Sequence, residues 1–262
     1  MQFETIIVDI ADGVAEVTLD RPDQHNTFTH QLHRELKEAF ETLPRHGDVR
    51  AILLGAKGKT FSAGGDFDLI LADREDDRQR RAMAAEGRAL LMAVGDCPVP
   101  VVAALQGDAV GLGATLLLAC DAVVASRNVQ ISDPHVVIGL VAGDGGCIVW
   151  PLNTSFMLAK RYLLTGDRVS AEDARSMGLF SDLVDERNEV APAARALAGR
   201  LAALPPLAVQ GTKRAMNQIF RQRMAALFDF GMAAEMETFK SDDLVEAISA
   251  FKERRPPKYT GS

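Results

Sequence analysis

The stretch that decides the fold is Q-G-D-A-V-G-L-G-A at residues 106–114, because it joins a predicted buried strand to a helix of small residues. The apolar run Val101–Leu105 before it is typical of a buried strand, and residues 111–119 after it are predicted to be helical. Free N–H groups at such a helix start attract an anion or a polarised carbonyl oxygen. The alternative is that the glycines only permit tight helix packing. A dinucleotide fingerprint is excluded, since its third glycine is missing.

A second glycine-rich loop lies upstream, F-S-A-G-G-D at residues 61–66, and it follows a predicted strand at residues 50–55. Glycine opens backbone conformations that are closed to other residues and lets a ligand approach the main chain closely. The loop therefore indicates a second candidate binding element. The alternative is an ordinary turn between a strand and a helix.

The third candidate element is D-P-H-V-V-I-G-L-V-A-G-D-G-G at residues 133–146. It contains His135, which is the only histidine after residue 46, and Asp144, which follows nine positions later. A carboxylate can orient an imidazole and stabilise its charged form, so the two side chains are candidates for an acid–base pair. Because the reference pKa of histidine is about 6.5, a neutral His135 is expected near pH 7. The alternative is that His135 bonds to the backbone and that Asp144 only shapes a turn.

The order of predicted elements indicates an α/β protein. Residues 5–9 and Val14–Leu19 are β-rich and flank Asp12-Gly13, which predicts a hairpin. Helices are predicted at residues 29–45, 74–93 and 155–164 and at Ala171–Met177, with strands between them. Beyond residues 181–184 only helical segments are predicted, with a break at Pro205-Pro206. Alternating strands and helices followed by helices alone suit an α/β core with a C-terminal helical region.

Composition narrows the class of protein. The chain has 262 residues, of which 47% are hydrophobic, so one compact domain with a large core is expected. The net charge of -7 argues against nucleic acid as a partner, since phosphate binding needs clustered cations. Charged residues interrupt the most apolar stretch, residues 99–125, so no membrane span is expected.

The cysteines and histidines bear on the cellular location and on metal binding. Three cysteines without a C-x-x-C pair favour a reducing, cytoplasmic location, and the first residues lack the basic and apolar pattern of a signal peptide. No metal site is predicted. His25, His30 and His33 lack acidic or cysteine partners in a ligand pattern and are interpreted as surface or hinge residues.

Several further motifs occur in a characteristic order. They are R-P-D-Q-H-N at residues 21–26, P-V-P-V-V-A-A-L-Q-G at 98–107, A-C-D-A-V-V-A at 119–125, G-L-V-A-G-D-G-G at 139–146, L-L-T-G-D-R-V-S-A-E-D-A at 163–174 and F-K-E-R-R at 251–255. Together with the loop at residues 61–66, they make the sequence resemble the crotonase (enoyl-CoA hydratase/isomerase) superfamily over nearly its whole length. The resemblance implies a crotonase-type spiral of β-β-α units over residues 1–190. It also implies a C-terminal helical trimerisation region over residues 191–262, in a homotrimer or a dimer of trimers.

The resemblance also implies a binding site for a thioester. The N–H groups of Gly65 and Leu112 are expected to form an oxyanion hole, with Leu112 in place of a glycine common in the family. Coenzyme A is then part of the substrate, and no separate cofactor is expected. The residues implied in binding coenzyme A are Ala63, Phe251, Lys252, Arg254 and Lys258, and those implied in the substrate pocket are Thr115, Asp68 and Trp150. Asp68 stands where the family often has a lysine.

One departure from the family pattern concerns catalysis. Hydratases of the family carry two glutamates, and the resemblance aligns them with Thr115 and His135, so neither carboxylate is present. The His135–Asp144 pair and the following V-W-P, ending at Pro151, are similar instead to a branch of carbon–carbon bond hydrolases typified by 6-oxocamphor hydrolase. That branch has a further histidine upstream, and this sequence has none between residues 46 and 135.

Three functions follow as hypotheses. The leading one is an acyl-CoA enzyme that stabilises a thioester enolate, with the His135–Asp144 pair moving protons in place of the glutamates. The second is a hydrolase that cleaves a carbon–carbon bond in a small β-diketone, so the substrate is either an acyl-CoA or a small dicarbonyl compound. The third is a non-catalytic binding subunit with the same fold.

Overall fold

The computed structural model of the protein describes residues 3–262. Met1 and Gln2, which belong to the predicted core and to the segment inspected for a signal peptide, lie outside the described residues. The strands are β1 Ile6–Ala11, β2 Val14–Leu19, β3 Ala51–Ala56, β4 Val101–Leu105, β5 Ala109–Val110, β6 Ala122–Ser126, β7 Gln130–Ser132, β8 Val169–Ser170 and β9 Asp182–Val184. The helices are α1 His30–Thr42, α2 Phe67–Arg74, α3 Asp77–Asp96, α4 Leu112–Leu118, α5 Gly146–Asn153, α6 Phe156–Thr165, α7 Ala171–Met177, α8 Arg187–Ala202, α9 Pro206–Thr238 and α10 Asp242–Glu253.

The strands form two sheets. The larger has the order β1-β2-β3-β4-β6-β9, and the smaller has the order β5-β7-β8. The predicted hairpin is confirmed, since β1 and β2 are antiparallel with Ala11 opposite Val14. Asp12 and Gly13 both have positive φ angles, 51° and 79°, which a tight two-residue hairpin turn requires. The other pairs of the larger sheet are parallel.

Helices cover both faces of the larger sheet. On one face, α8 presents Val190, Ala194, Ala198 and Ala202, spaced four residues apart, to alternate residues of β2, β3, β4 and β6. On the other face lies the main core, to which α1, α3 and α4 contribute. The boundary predicted between residues 190 and 191 falls inside α8, which packs on the sheet. The helices that extend beyond the sheet layers are therefore α9 and α10.

Two local features differ from the sequence-based expectation. The helix predicted at residues 74–93 corresponds to α3, whereas α2 before it was not predicted; Asp66 and Asp76 cap the starts of the two helices with side-chain oxygens. Helix α5 was not predicted, since it follows the glycines of the D-G-G turn and contains Pro151. The family-based fold expectation, an α/β crotonase architecture with C-terminal helices, is otherwise what the structure contains.

Contacts between residues far apart in the sequence pack α9 against the core. Lys213 near its start is buried, lies 2.6 Å from Asp121 Oδ2 and donates a hydrogen bond of 2.9 Å to the Val99 carbonyl. Farther along, Gly231 lies against Gly143 of the loop that precedes α5. Within residues 3–262, no helix is long and apolar enough to cross a membrane.

Candidate active site

Hydrogen bonds hold the two glycine-rich loops together. The Phe61 N–H donates to the Asp108 carbonyl and the Val110 N–H to the Ser62 carbonyl, each at 3.0 Å. A Cβ atom added at Gly111 would lie 3.9 Å from the Gly64 Cα. The loop contacts therefore bring the oxyanion-hole candidates Gly65 and Leu112 to the wall of the same cavity.

The hydrogen bonds of neighbouring residues show which N–H groups are free. The Gly64 N–H donates to Ser62 Oγ at 3.2 Å, and the Gly111 N–H donates to the Ser132 carbonyl at 2.9 Å. Within the described part of the chain, the N–H groups of Gly65 and Leu112 have no such partner. Leu112 is the first residue of α4, where an N–H group has no carbonyl of its own helix to bond.

The cavity is small and mostly apolar. Its volume is about 120 Å³, of the same order as the roughly 150 Å³ cavity that accommodates benzene in another protein. Side chains from α1, α2, α3, α9 and the two loops surround it. The apolar part of the wall includes Phe28, Phe67, Ile70, Met83, Leu140 and Phe239. Such a wall favours a short apolar group.

His135 is held between two carboxylates. Its Nδ1 atom is hydrogen-bonded to Asp133, and its Nε2 atom lies 3.3 Å from Asp144 Oδ2. Burial alone would lower the pKa of His135, but the charges of Asp144 and Asp133 raise it well above the usual value. The raised pKa is at odds with the expectation of a neutral His135 near pH 7 and favours the imidazolium form. It also borders the oxyanion loop, since a Cβ atom at Gly111 would lie 3.6 Å from its Cε1.

His33 is a buried histidine of the cavity whose neutral form is favoured. Its Nδ1 atom lies 2.9 Å from the Thr29 carbonyl, and burial lowers its pKa. His30 also lines the cavity, with Nδ1 2.6 Å from Glu86 Oε2. The interpretation of His30 and His33 as surface or hinge residues is thus wrong, because α1 turns both toward the cavity.

Two carboxyl groups in the cavity wall have opposite protonation. Burial opposes ionisation of Asp144, but the charge and hydrogen bond of His135 hold its pKa below the ordinary value. Glu235 on α9 is 4% exposed, and burial together with the charge of Asp144 raises its pKa to about 8. Asp144 is therefore ionised at neutral pH, whereas Glu235 keeps its proton.

Asp133 and Glu235 were not predicted from the sequence to have a role, although both belong to this cluster. Asp133 stands two residues before His135 in D-P-H, a spacing that allows the contact. Glu235 follows Phe220, Met224 and Phe228 along the buried side of α9. A glutamate on an otherwise apolar helix face was the available signal.

The other predicted site residues divide between the cavity wall and positions outside it. Thr115 and Trp150 are fully buried and are not among the residues that line the cavity. Ala63 does line the cavity. Asp68 is exposed and pairs with Lys252 at 2.7 Å.

The remaining coenzyme A candidates lie at the end of α10 and beyond it. The Phe251 ring contacts the Phe67 ring edge-on at 5.3 Å between centroids, next to the cavity. Arg254 ends α10, and Lys258 follows it, its backbone N–H bonded to Glu246 at 2.7 Å. The described residues contain no group of three or more histidine, cysteine or acidic side chains that could hold a metal ion.

Comparison with known proteins identifies the family of the chain. The family described as Enoyl-CoA hydratase/isomerase matches residues 9–262. The 1,2-epoxyphenylacetyl-CoA isomerase of Escherichia coli is 30% identical over 99% of both chains, and the (E)-benzylidenesuccinyl-CoA hydratase of Thauera aromatica is 31% identical over 98% of this chain and 99% of its own. The crystal structure of an enoyl-CoA hydratase/isomerase from Mycobacterium paratuberculosis superimposes with a TM-score of 0.90 and 36% identity, covering 95% of this chain and 99% of that one. Fold and sequence therefore agree, and the chain belongs to the enoyl-CoA hydratase/isomerase family of acyl-CoA enzymes.

Proposed function

We propose that the protein converts an acyl-CoA thioester through an enolate, with Gly65 and Leu112 binding the enolate oxygen and the Asp144–His135 pair handling the proton. One observation carries this proposal. Two N–H groups without a hydrogen-bond partner among residues 3–262 border the same apolar cavity as a carboxylate whose pKa is lowered. A carbonyl oxygen between the two donors places its α-carbon in the cavity beside that base.

The roles within the pair follow from its charges. A protonated His135 cannot accept a proton, so Asp144 is the base and His135 keeps it ionised. Asp133 in turn stabilises the imidazolium through its hydrogen bond with the other ring nitrogen, Nδ1. As the α-proton leaves, negative charge moves onto the thioester oxygen, and each preorganised donor contributes about 2.7–4 kcal/mol to its stabilisation.

The Leu112→Pro variant tests the oxyanion hole. Proline lacks an N–H group and is tolerated at the first position of a helix, which Leu112 occupies. We expect exchange of the α-protons of butanoyl-CoA in D₂O, followed by proton NMR, to slow by about 10²–10³-fold. The matched control is Leu112→Ala, which removes the side chain and retains the N–H group, and we expect it to remain within about tenfold of wild type.

Two results would contradict the proposal. One is an unchanged exchange rate in a folded Leu112→Pro variant. The other is wild-type protein that neither exchanges the α-protons nor gains thermal stability from any acyl-CoA, since a ligand that binds the native state must raise the melting temperature.

A second candidate function is hydrolysis of a carbon–carbon bond in a small β-diketone. It is favoured by an ion pair in the predicted coenzyme A region, because Lys252 is paired with Asp68 at 2.7 Å. Cations that are already paired are poor ligands for phosphates, and a small diketone needs none. An assay that compares a 2-enoyl-CoA with a cyclic β-diketone separates the two functions, and turnover of the diketone alone would favour hydrolysis.

We further propose a homotrimer, or a dimer of trimers, in the cytoplasm. Helix α9 exposes several large apolar side chains, among them Leu207 at 85% and Phe230 at 79%, and exposed apolar surface of this kind favours an interface with other subunits. Light scattering on the purified protein measures the mass directly, and a monomer at micromolar concentration would contradict the assembly. Cell fractionation tests the location.

A further inference from the structure

We propose that Glu235 is a second catalytic residue, which gives a proton to a carbon of the enolate after Asp144 has removed one from another carbon. This inference rests on the proposed enolate chemistry. It assigns the protein to the transfer of a proton between two carbons of an unsaturated thioester, which is an isomerisation.

The position of Glu235 supports a role in the cavity. Its side chain lines the same cavity as Gly65, Leu112 and Asp144, although it comes from the C-terminal helix α9. Its carboxyl oxygen Oε2 is buried and has no hydrogen-bond partner among the described residues. A buried acid without a protein partner is costly unless a ligand uses it.

Two glycines allow α9 to pack closely against the loop that contains Asp144. A Cβ atom at Gly143 would lie 2.2 Å from the Gly231 carbonyl oxygen and 3.0 Å from the Glu235 Cβ. The backbone of the Asp144 loop therefore touches the backbone of α9 one helical turn before Glu235. This crossing brings the two carboxyl groups into one cluster.

The charges of the cluster set the protonation of Glu235. It faces Asp144, His135 and Asp133, and Cys147 of α5 lies within their electrostatic reach. Burial first, and then the charge of Asp144, raises the pKa of Glu235 to about 8. An ionised carboxylate next to a protonated one is the arrangement in which one group acts as base and the other as acid.

The proposed step balances. Asp144 takes a proton from one carbon, and the electron pair of that C–H bond moves into the enolate. The enolate electrons then form a new C–H bond with the proton on Glu235 Oε2, which becomes a carboxylate. Asp144 ends protonated, and passage of that proton to Glu235 restores both groups, so no oxidant or further reactant is needed.

The Glu235→Gln variant tests the inference, because an amide keeps the shape and loses the transferable proton. We expect conversion of a 3-enoyl-CoA into its 2-enoyl isomer to slow by about 10²-fold, while exchange of the α-protons of butanoyl-CoA, which needs only Asp144, stays within about tenfold of wild type. The wild-type isomerisation rate is expected to fall as pH rises through about 8, where Glu235 loses its proton, and this decline should be absent in the variant. His135 is present in both wild type and Glu235→Gln, so any contribution of its ionisation is common to the two pH profiles. Only the difference between those profiles reports on Glu235.

Thermal stability separates a catalytic from a structural role. The unfolded chain releases the Glu235 proton near the ordinary glutamate pKa of 4.5, whereas the folded chain holds it up to about 8, so this residue makes stability fall as pH rises between those values. Glu235→Gln removes this loss of stability. We therefore expect the variant to have a higher melting temperature than wild type at pH 8 and a slower turnover.

Equal isomerisation rates and equal pH profiles in wild type and Glu235→Gln would overturn the inference and leave the enolate proposal standing. A destabilised Glu235→Gln protein would also count against it, since it would assign the side chain to packing. If wild type itself does not exchange the protons, the proposed function fails first.

Discussion

Replacement of Asp144 by asparagine is expected to slow turnover by about 10³–10⁴-fold, since proton transfer by a positioned side chain contributes up to about 10⁴. Asparagine keeps the size of the side chain and can still contact Gly146, but it cannot accept the proton. It also removes one of the two charges that hold His135 as an imidazolium. The measurement is α-proton exchange from butanoyl-CoA, together with turnover of a 2-enoyl-CoA.

The matched control is Asp182→Asn, which neutralises an exposed aspartate in β9, far along the chain from the cavity residues. It is expected to leave both rates within a factor of two, as most exposed substitutions do. Asp144→Asn protein with an unchanged melting temperature and near-wild-type rates would show that the base is elsewhere, and His33 would be the first residue to examine.

Replacement of Lys213 by methionine is expected to lower the free energy of unfolding by about 3 kcal/mol, the lower end of the range for breaking a buried ion pair. Lys213 is 8% exposed, and methionine fills a similar volume without the charge. Asp121 then loses its cation, although it retains the Val101 N–H at 2.7 Å and is partly exposed, and the Val99 carbonyl loses its donor. Melting curves measure the effect, expected as a decrease of roughly 6–12 °C for a chain of this size.

A comparison with Lys240→Met isolates the contribution of burial. Lys240 is exposed, and its contact with Asp77 is long, 3.9 Å, so its removal is expected to change stability by less than about 0.5 kcal/mol. Addition of Asp121→Asn to Lys213→Met should recover part of the loss, because the uncompensated charge is then gone. Equal effects of Lys213→Met and Lys240→Met would mean that the buried pair contributes nothing particular.

Local features of the fold were predictable because their causes are local. The hairpin at Asp12-Gly13 depends on two adjacent residues that accept positive φ angles. The buried strands β3 and β4 are continuous apolar runs, as parallel strands covered on both faces must be. Helix α5 escaped prediction because a short apolar segment with a proline has no clear helical period.

The site was predictable in position but not in protonation. Motif order pointed to Gly65, Leu112, His135 and Asp144, and these four residues line one cavity. The charge on His135 depends on carboxylates at both ring nitrogens, which only the three-dimensional arrangement reveals. Glu235 reaches the cavity because Gly143 and Gly231, which are 88 positions apart, pack against each other. No local sequence pattern predicts such a long-range contact.

Helix α9 has one further consequence. The same helix directs Glu235 into the cavity and exposes Phe230 and Met216 to the outside. If neighbouring subunits cover those apolar residues, dilution dissociates the subunits and removes the packing that holds α9, and with it Glu235, in place. Specific activity would then decline as the enzyme is diluted, and recover with excess inactive subunit that carries Asp144→Asn.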